Sequence, residues 1–165
     1  MNSDKSQKVE EDIKLWAVFY RTAYAIKRNR ERELVKHGIT WIQSSVLLCI
    51  KQAAVPPTPT DIARTLFRQP HTISELVKRM EKQSLVKRVR DIKSKNIIRV
   101  LLTDKGEEVL EEAHRTQVIH EIFSVLSKEK QKQLLQSMIS LYNKAIETLH
   151  MSYFDKLQIH DEAIE

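Results

Sequence analysis

One change in hydrophobic pattern, near Leu85, constrains the fold of this chain more than any other feature. Apolar residues recur at helical spacing on both sides of residues 85–102. Inside that segment, two short runs, 85–90 and the β-branched 97–102, predict strands around the polar, turn-prone residues 91–96. The chain is therefore predicted to place a single β-hairpin within an otherwise helical fold.

Helices are predicted on the amino-terminal side of this hairpin. A long amphipathic helix covers about residues 8–35 and ends before Gly38. Thr40 and Gln43 have capping-box spacing at the start of a second helix, which runs to about Ala53. A proline-rich stretch, residues 56–59, follows; it is called the proline stretch below. Thr60 is then predicted to cap a short third helix.

The remaining helices are also marked by caps. Pro70 suits the first turn of a fourth helix, where its missing N–H costs nothing. Its apolar residues form one buried stripe: Ile73, Leu76, Val77 and Met80. After the hairpin, Thr103 is predicted to cap a long helix that reaches about Leu126, and Ser127 caps a last helix.

This order predicts a mainly α fold with a small β-hairpin wing: a winged helix-turn-helix flanked by long dimerisation helices. Residues 1–38 are predicted to form the amino-terminal dimerisation helix, 39–105 the winged helix-turn-helix lobe, and 106–165 the helices that complete the dimerisation region. The outer helices carry more apolar surface than a small lobe can cover. A homodimer that packs these helices together is therefore expected.

Basic side chains are concentrated in residues 78–99, which hold nine lysines and arginines and two acids, Glu81 and Asp91. That is a net charge of +7 for the segment, against +6 for the whole chain, so the rest is close to neutral. A concentrated patch suits a polyanion, because neutralising phosphates releases condensed counterions. The pattern therefore points to a nucleic-acid partner.

The outward face of the fourth helix carries side chains suited to DNA. One helix fits the major groove, and side chains in its amino-terminal half reach base edges. The candidates for reading bases are His71, Thr72, Ser74 and Glu75. The candidates for phosphate contacts are Lys78, Arg79 and Lys82. A solvated helix face without a partner is the alternative interpretation.

The hairpin predicts a second DNA contact, because a cationic tip can enter the narrow minor groove. Its candidate residues lie on the strands and at the tip: Arg88, Arg90, Lys93, Lys95, Asn96 and Arg99. The alternative is an edge hairpin that its charges keep from pairing with other strands.

Four sequence elements follow one another at a specific spacing: Thr60–Ala63, Thr72–Lys82, Leu85–Arg88 and Leu102–Gly106. The Leu-Val-x-Arg and Leu-Thr-x-Lys-Gly elements are the strongest part of the pattern. Together they resemble the MarR family of winged-helix transcriptional regulators, over about residues 10–150. The resemblance implies an obligate dimer, pseudo-palindromic operators, and repression relieved by a small ligand or an oxidant.

The wing departs from the pattern that the resemblance implies. Family members commonly carry an Asp-x-Arg-type motif there. In this chain Ser94 stands in place of the second Asp, and Lys95 in place of the minor-groove arginine. Since lysine is more strongly hydrated than arginine, a weaker wing contact and a weaker preference for A·T pairs are expected.

Few sequence features point to an effector, a small molecule or ion that would regulate DNA binding. Four aromatic residues could line a ligand pocket between the dimer helices and the lobe, although core or dimer packing is the alternative: Trp16, Tyr20, Tyr24 and Trp41. Cys49 lies among apolar residues and is predicted to be a buried, inert thiol. His37, His114 and His120 show no tight metal-ligand spacing with nearby glutamates, so no metal site is predicted.

Several protein classes are disfavoured. A single cysteine rules out an intramolecular disulfide, and no apolar run approaches the roughly 18 residues of a membrane span. The polar start lacks a signal peptide's apolar core, so a cytoplasmic protein is expected. We find no nucleophile–base pair, phosphate loop or carboxylate cluster, so neither an enzyme nor a cofactor is predicted.

The sequence thus predicts a dimeric, sequence-specific double-stranded DNA-binding regulator, a repressor released by a small aromatic or apolar ligand. A winged-helix interaction module that binds an acidic protein partner is the alternative. Capture of an acidic protein without preference among DNA sequences would favour the alternative.

Overall fold

The computed structural model describes residues 2–91, 94, 96–115 and 117–149. In chain order its elements are α1 (Asn2–Lys36), α2 (Trp41–Gln52), α3 (Pro59–Thr65), α4 (Pro70–Lys82), β1 (Val86–Arg90), β2 (Ile98–Leu102), α5 (Asp104–His114), α6 (Gln117–Phe123) and α7 (Lys128–Thr148). The predicted mainly α fold with one hairpin wing is confirmed. No helix in these ranges is both long and apolar enough to cross a lipid bilayer.

The start of α2 forms as its sequence predicts. Thr40 Oγ1 accepts a hydrogen bond from the Gln43 backbone N–H at 3.3 Å, and Gln43 Oε1 accepts one from the Thr40 N–H at 2.9 Å. The predicted capping box is confirmed. The preceding helix also stops before Gly38 as predicted, but it begins at Asn2 rather than near residue 8.

The predicted cap of α3, Thr60, is wrong, because Thr58 occupies that position. Thr58 Oγ1 accepts from the Asp61 N–H at 3.1 Å, and the Asp61 carboxylate accepts from the Thr58 N–H at 2.9 Å. Pro59 takes the first helical position. Partial burial would raise the pKa of Asp61, but the hydrogen bonds from Thr58 outweigh it and hold this pKa below its ordinary value.

The buried stripe predicted for α4 is confirmed. Ile73, Val77 and Met80 are fully buried, and Leu76 is 7% exposed. They pack in one core with residues of α2, α3 and the hairpin, joined by Leu34 of α1 and by residues of α5. This burial fixes which face of α4 meets solvent.

The wing is an antiparallel pair in which Val86 lies opposite Leu102 and Arg90 opposite Ile98. Both predicted strands are confirmed to within one residue. The Val100 N–H donates to the Pro57 carbonyl at 2.9 Å, so the proline stretch covers the outer edge of β2. An edge that is partly covered in this way has fewer open backbone groups for pairing with another chain.

The single helix predicted to run from Thr103 to Leu126 is wrong. It divides into α5 and α6 near Arg115, whose ψ of 44° departs from helical geometry. The Ala113 carbonyl accepts a hydrogen bond from the Arg30 guanidinium at 2.6 Å. In a continuous helix that carbonyl would instead accept from the N–H of residue 117. A contact with distant α1 thus ends α5, and no local pattern could predict it.

Residues 102–106 clamp the start of α5 to the end of α4. The Thr103 hydroxyl accepts from the Gly106 N–H at 3.0 Å and donates to the Ser84 carbonyl at 2.5 Å. A Cβ at Gly106 would lie 1.9 Å from the carbonyl oxygen of Leu85. Only glycine permits this approach, which explains the Thr and Gly of the Leu-Thr-x-Lys-Gly element.

Three helices end with a left-handed residue: Gly38 (φ 70°), Phe67 (φ 53°) and Ser84 (φ 59°). At the end of α3 the N–H groups of Phe67 and Arg68 donate to carbonyls of the last turn at 3.1 and 2.8 Å, a Schellman motif. Glycine adopts this backbone without strain, whereas another residue costs about 1–3 kcal/mol. Phe67 therefore stands where glycine would be the ordinary choice.

The terminal helices differ from the lobe because their apolar side chains are exposed in the single chain. On α1, Val9, Ile13 and Val18 are each more than half exposed, and on α7 Leu141 is 56% exposed. Within Lys128–Thr148, Ile146 alone is buried. The terminal helices thus leave an apolar surface that one chain does not cover.

Candidate nucleic-acid interface

The polar face of α4 points away from the core. Six of its predicted contact residues are exposed: His71, Thr72, Glu75, Lys78, Arg79 and Lys82. Ser74 is half-buried, because it lies closer to the core side of the helix. The helix thus presents hydrogen-bonding groups in its amino-terminal half and cations further along, as its sequence predicts.

Glu75 and Lys78 form an ion pair within this face. Lys78 Nζ donates to Glu75 Oε1 at 2.7 Å, and both side chains are at least half exposed. The hydrogen bond from Lys78 lowers the pKa of Glu75 below its ordinary value. Glu75 is therefore a carboxylate at neutral pH, an acceptor that can exchange this exposed partner for a base edge.

Glu81, in the last turn of α4, holds the wing against the helix. Its Oε2 accepts from Arg88 Nε at 2.8 Å, and its Oε1 accepts from the Arg88 backbone N–H at 3.0 Å. These hydrogen bonds hold the pKa of Glu81 below its ordinary value. Arg88, a predicted DNA contact, is thus engaged within the protein and positions β1 relative to α4.

Asp91 and Arg99 make a second clamp where the strands of the wing meet the turn. The Asp91 carboxylate accepts from Arg99 Nε at 2.7 Å and from the Ser94 N–H at 3.1 Å. Arg99 also donates to the Pro56 carbonyl at 3.0 Å, and its side chain is 26% exposed. Arg99 therefore ties the wing to the proline stretch before α3.

The other predicted wing residues lie on β1 and in the turn. Arg90 is exposed on β1 and shares a face of the hairpin with Arg88, since the two are separated by one residue in the strand. Asn96 is exposed at the turn. Lys93 and Lys95 lie outside the described residues, so their contacts stay predictions.

Sequence reasoning misses three residues of this region. Arg68 is exposed and lies just before Pro70, at the amino-terminal end of α4, and a basic residue at that place is the signal that could have identified it. Glu81 and Asp91 count in the sequence only as charges that reduce the patch. Each lies seven or eight residues before the arginine that it binds, a spacing across a turn that could have suggested a pair.

The four aromatic candidates do not share one pocket in the single chain. Trp16, Tyr20 and Tyr24 are each more than half exposed on α1, with the rings of Trp16 and Tyr20 6.0 Å apart. Trp41 lines a separate cavity of about 290 Å³. Its lining residues come from α1, α2, α5 and α6: Arg30, Trp41, Ser44, Ser45, Leu48, His114 and Ile119.

The predicted burial of Cys49 is only partly correct, because the side chain is half-buried beside α3. Burial raises the pKa of its thiol, while a hydrogen bond with Thr65 acts in the opposite direction. His37 lies 3.7 Å from Glu112. Within the part of the chain that the structure describes, no three His, Cys, Asp or Glu side chains gather as metal ligands.

Comparisons with known proteins place the winged-helix segment in a family. Residues 37–95 match the MarR family. YkoM of Bacillus subtilis strain 168, an uncharacterized HTH-type transcriptional regulator, is 24% identical over 153 residues, which cover 92% of this chain and 97% of YkoM. The match to the MarR family thus lies within the winged-helix segment of this chain.

Solved structures share the whole architecture. The ligand-free organohalide-sensing regulator RdhR-CbdbA1625 has a TM-score of 0.75 at 22% identity, with 90% of each chain covered. That regulator is also solved with 2,4-dichlorophenol bound, at a TM-score of 0.72. The repressor CouR of Rhodococcus jostii RHA1, bound to a 23-mer DNA duplex, has a TM-score of 0.69 at 22% identity over 76% of this chain and 89% of CouR.

Proposed function

We propose that this MarR-family chain is a transcriptional regulator that binds double-stranded DNA as a homodimer at a pseudo-palindromic site. The observation that carries the proposal is the placement of α4, whose buried stripe fixes an exposed face of polar and basic side chains beside a charged wing. A helix presented in this way fits the major groove. CouR, which shares the fold, binds a DNA duplex.

The α4 face divides into a base-reading part and a phosphate-binding part. His71 and Thr72 lie in the first turn, the end of a recognition helix that reaches deepest into the groove. Glu75 can accept from a cytosine amino group once Lys78 has turned to a phosphate. Arg79 and Lys82, further along, suit phosphates, which position the protein but carry no sequence information.

The dimer follows from the uncovered apolar surface of the terminal helices. Side chains such as Ile13 and Trp16 on α1, and Leu141 on α7, are more than half exposed in one chain. Soluble monomers rarely expose contiguous apolar patches of this kind. Packing α1 and α7 of two chains would cover them, and the two-fold axis would present two copies of α4 to two half-sites.

DNA binding is tested with the duplex that the purified protein selects from a random-sequence pool. A dimer that contacts about 6–10 phosphates should lose roughly 10³–10⁵ in affinity between 50 and 200 mM salt. Lys82→Ala should weaken binding to all sequences alike, whereas Thr72→Ala should change the selected sequence. A flat salt dependence, or capture of acidic proteins without any selected sequence, would contradict the proposal.

The proposal includes repression of transcription by the DNA-bound dimer. A small aromatic or apolar ligand would release the dimer from DNA and so relieve the repression. The Trp41 cavity supports this part, since about 290 Å³ with apolar walls and a few polar groups suits a small organic molecule. RdhR-CbdbA1625 binds 2,4-dichlorophenol, which serves as the first probe.

In a Trp16→Phe variant, Trp41 is the remaining tryptophan, so its fluorescence reports on the cavity. We expect 2,4-dichlorophenol or a related phenol to change that fluorescence and to release the selected duplex. Leu48→Phe, which narrows the cavity without adding a tryptophan, should weaken both effects while DNA binding persists. Release that is unchanged in Leu48→Phe would place the ligand elsewhere.

A further inference from the structure

Arg30 is the one charged residue that is buried among those the structure describes, with 6% of its surface exposed. Its guanidinium makes two short hydrogen bonds: Nη1 donates to Glu33 Oε2 and Nη2 to the Ala113 carbonyl, each at 2.6 Å. A buried charge destabilises the fold unless it is paired, and an apolar side chain in its place is often as stable. Packing alone therefore does not explain why an arginine stands here.

The bond from Arg30 to Ala113 joins two parts of the molecule that the proposed function holds in a fixed arrangement. Arg30 comes from α1, the proposed dimerisation helix. Ala113 of α5 is buried in the core of the lobe together with Leu110. α5 packs against α2 and β2 of the lobe, whereas α6 packs against α1. The break between α5 and α6 thus lies where the lobe meets the dimerisation region.

The Ala113 carbonyl has two alternative partners. It accepts from Arg30 in this structure, and α5 ends one residue later, at His114. If the guanidinium withdrew, the same carbonyl could accept from the N–H of Gln117, the first residue of α6, as in a continuous helix. This junction therefore has two hydrogen-bonding arrangements, and the position of Arg30 decides between them.

Arg30 also lines the Trp41 cavity, together with residues such as Ser44 and His114. Among the described residues that line this cavity, none is acidic. A ligand oxygen in the cavity could therefore accept from the guanidinium without facing a carboxylate on the cavity wall. Because a guanidinium has five N–H donors, Arg30 can keep Glu33 while it exchanges the Ala113 carbonyl for a ligand.

We propose that Arg30 is the positioning residue through which a ligand in the Trp41 cavity controls DNA binding. While Arg30 holds the Ala113 carbonyl, the lobe keeps the orientation to α1 that places two copies of α4 on two half-sites. A ligand oxygen that accepts from Arg30 in place of Ala113 frees the lobe, and the protein leaves DNA. This inference rests on the proposed function and adds the residue that connects the cavity to the lobe.

The first test compares two arginines of α1 without any ligand. Arg28 pairs with Glu31 at the same spacing of three residues as Arg30 with Glu33, but its side chain is exposed, so Arg28→Met is the matched control. Arg30→Met should bind the selected duplex on the order of tenfold more weakly, whereas Arg28→Met should bind as wild type does. Arg30→Lys, which keeps the charge and a donor, should recover part of the loss.

A second measurement separates positioning from stability. The selected duplex is lengthened or shortened by one base pair between its half-sites, which changes their distance and their rotation about the DNA axis. We expect wild type and Arg28→Met to lose affinity steeply on both duplexes. Arg30→Met should lose less, because its lobe is less firmly tied to α1. A variant that is merely less stable, as urea titrations would show, would keep the wild-type preference for spacing.

A third measurement adds 2,4-dichlorophenol, the probe of the Trp41 cavity. The phenol should weaken DNA binding by wild type and by Arg28→Met alike, and should leave Arg30→Met nearly unchanged. Hydrogen exchange of the Gln117 amide should slow when the phenol binds wild type, because this amide then gains the Ala113 carbonyl. The same slowing should occur in Arg30→Met without the phenol.

Three outcomes would overturn the inference: wild-type affinity and spacing preference in Arg30→Met, a full response of Arg30→Met to the phenol, or exchange at Gln117 that the bound phenol does not change. The last measurement uses the wild-type protein, so it decides even if Arg30→Met does not fold. A wild type that selects no duplex, or that does not respond to the phenol, would contradict the proposed function itself. A wild type that does both, with Arg30→Met indistinguishable from it, would contradict this inference alone.

Discussion

The helix α4 and the wing carry the same basic patch but differ in how much of their attachment is apolar burial. Four apolar side chains of α4 are buried in the core of the lobe. The wing buries Val86 and Val100 in the same core. It is attached further by polar contacts that are partly exposed: Glu81 binds Arg88, and Arg99, held by Asp91, donates to the Pro56 carbonyl. Apolar burial responds little to salt or pH, whereas partly exposed ion pairs respond to both. Salt and pH should therefore affect the outer part of the wing more than they affect α4.

The two regions also differ in how much of their positive charge is left unpaired by carboxylates of the protein. On the wing strands Arg88 and Arg99 are bonded to carboxylates, so part of the positive charge counted in residues 78–99 is already neutralised. On α4, Arg79 and Lys82 are exposed at the end of the helix. The patch that looks uniform in the sequence thus consists of an exposed part on α4 and a part that organises the wing.

The largest loss of unfolding free energy should follow from a substitution that weakens the packing of α4 against the core. Met80→Ala empties a fully buried site and should lower the free energy of unfolding by about 2–5 kcal/mol in urea titrations. Lys82→Ala, on the exposed face of the same helix, is the control and should stay within about 0.5 kcal/mol. Equal effects of the two substitutions would show that burial does not hold α4.

The next effect concerns the junction of α4 with α5. Gly106→Ala would force a Cβ against the Leu85 carbonyl, and the resulting shift should cost about 3 kcal/mol of unfolding free energy. Gly38→Ala is the control, because no atom lies within 4 Å of a Cβ there and only the left-handed backbone, about 1 kcal/mol, opposes it. If Gly38→Ala were the more harmful change, the clamp at residues 102–106 would not depend on close approach.

A smaller loss of stability is expected where the strands of the wing meet the turn. Asp91→Asn removes the charge that Arg99 binds, and since both side chains are mostly buried, a loss of about 1–2 kcal/mol should follow. The control is Glu147→Gln, which removes an exposed pair with Lys144 and should change stability by less than about 0.5 kcal/mol. Guanidinium would screen the pairs, so urea is the suitable denaturant. A null result for Asp91→Asn would show that the Asp91–Arg99 pair does not stabilise the wing.

Sequence patterns correctly predicted the elements that depend on short-range interactions. The α4 stripe, the capping box at Thr40 and the two strands follow from periodicity and short-range hydrogen bonds, and all three are confirmed. The break between α5 and α6 follows from Arg30, which reaches the Ala113 carbonyl from a different helix. Nothing in residues 104–126 encodes that contact, so the sequence could not predict it.

In the candidate nucleic-acid interface, too, the sequence predicted some residues and missed the roles of others. The outward residues of α4 could be named from a helical wheel, because burial of one face determines the other. The roles of Glu81 and Arg99 could not, since they depend on the distance between elements that the sequence leaves open. The Thr58 cap could have been predicted, because Thr58 and Asp61 have the same capping-box spacing that identified Thr40.

The smallest effect tests whether the Glu81–Arg88 pair makes wing attachment depend on pH. The pKa of Glu81 is lower in the folded protein than its ordinary value, so its carboxylate contributes stability that is present above the unfolded pKa of about 4.3 and is lost as pH falls through the folded pKa. Glu81→Gln should therefore cost at most about 1 kcal/mol at pH 7, since the pair is partly exposed. The difference from wild type should shrink towards zero as the pH is lowered below about 4. Urea titrations of both proteins across this range measure it, and a difference that stayed constant with pH would mean that Glu81 acts by packing rather than by charge.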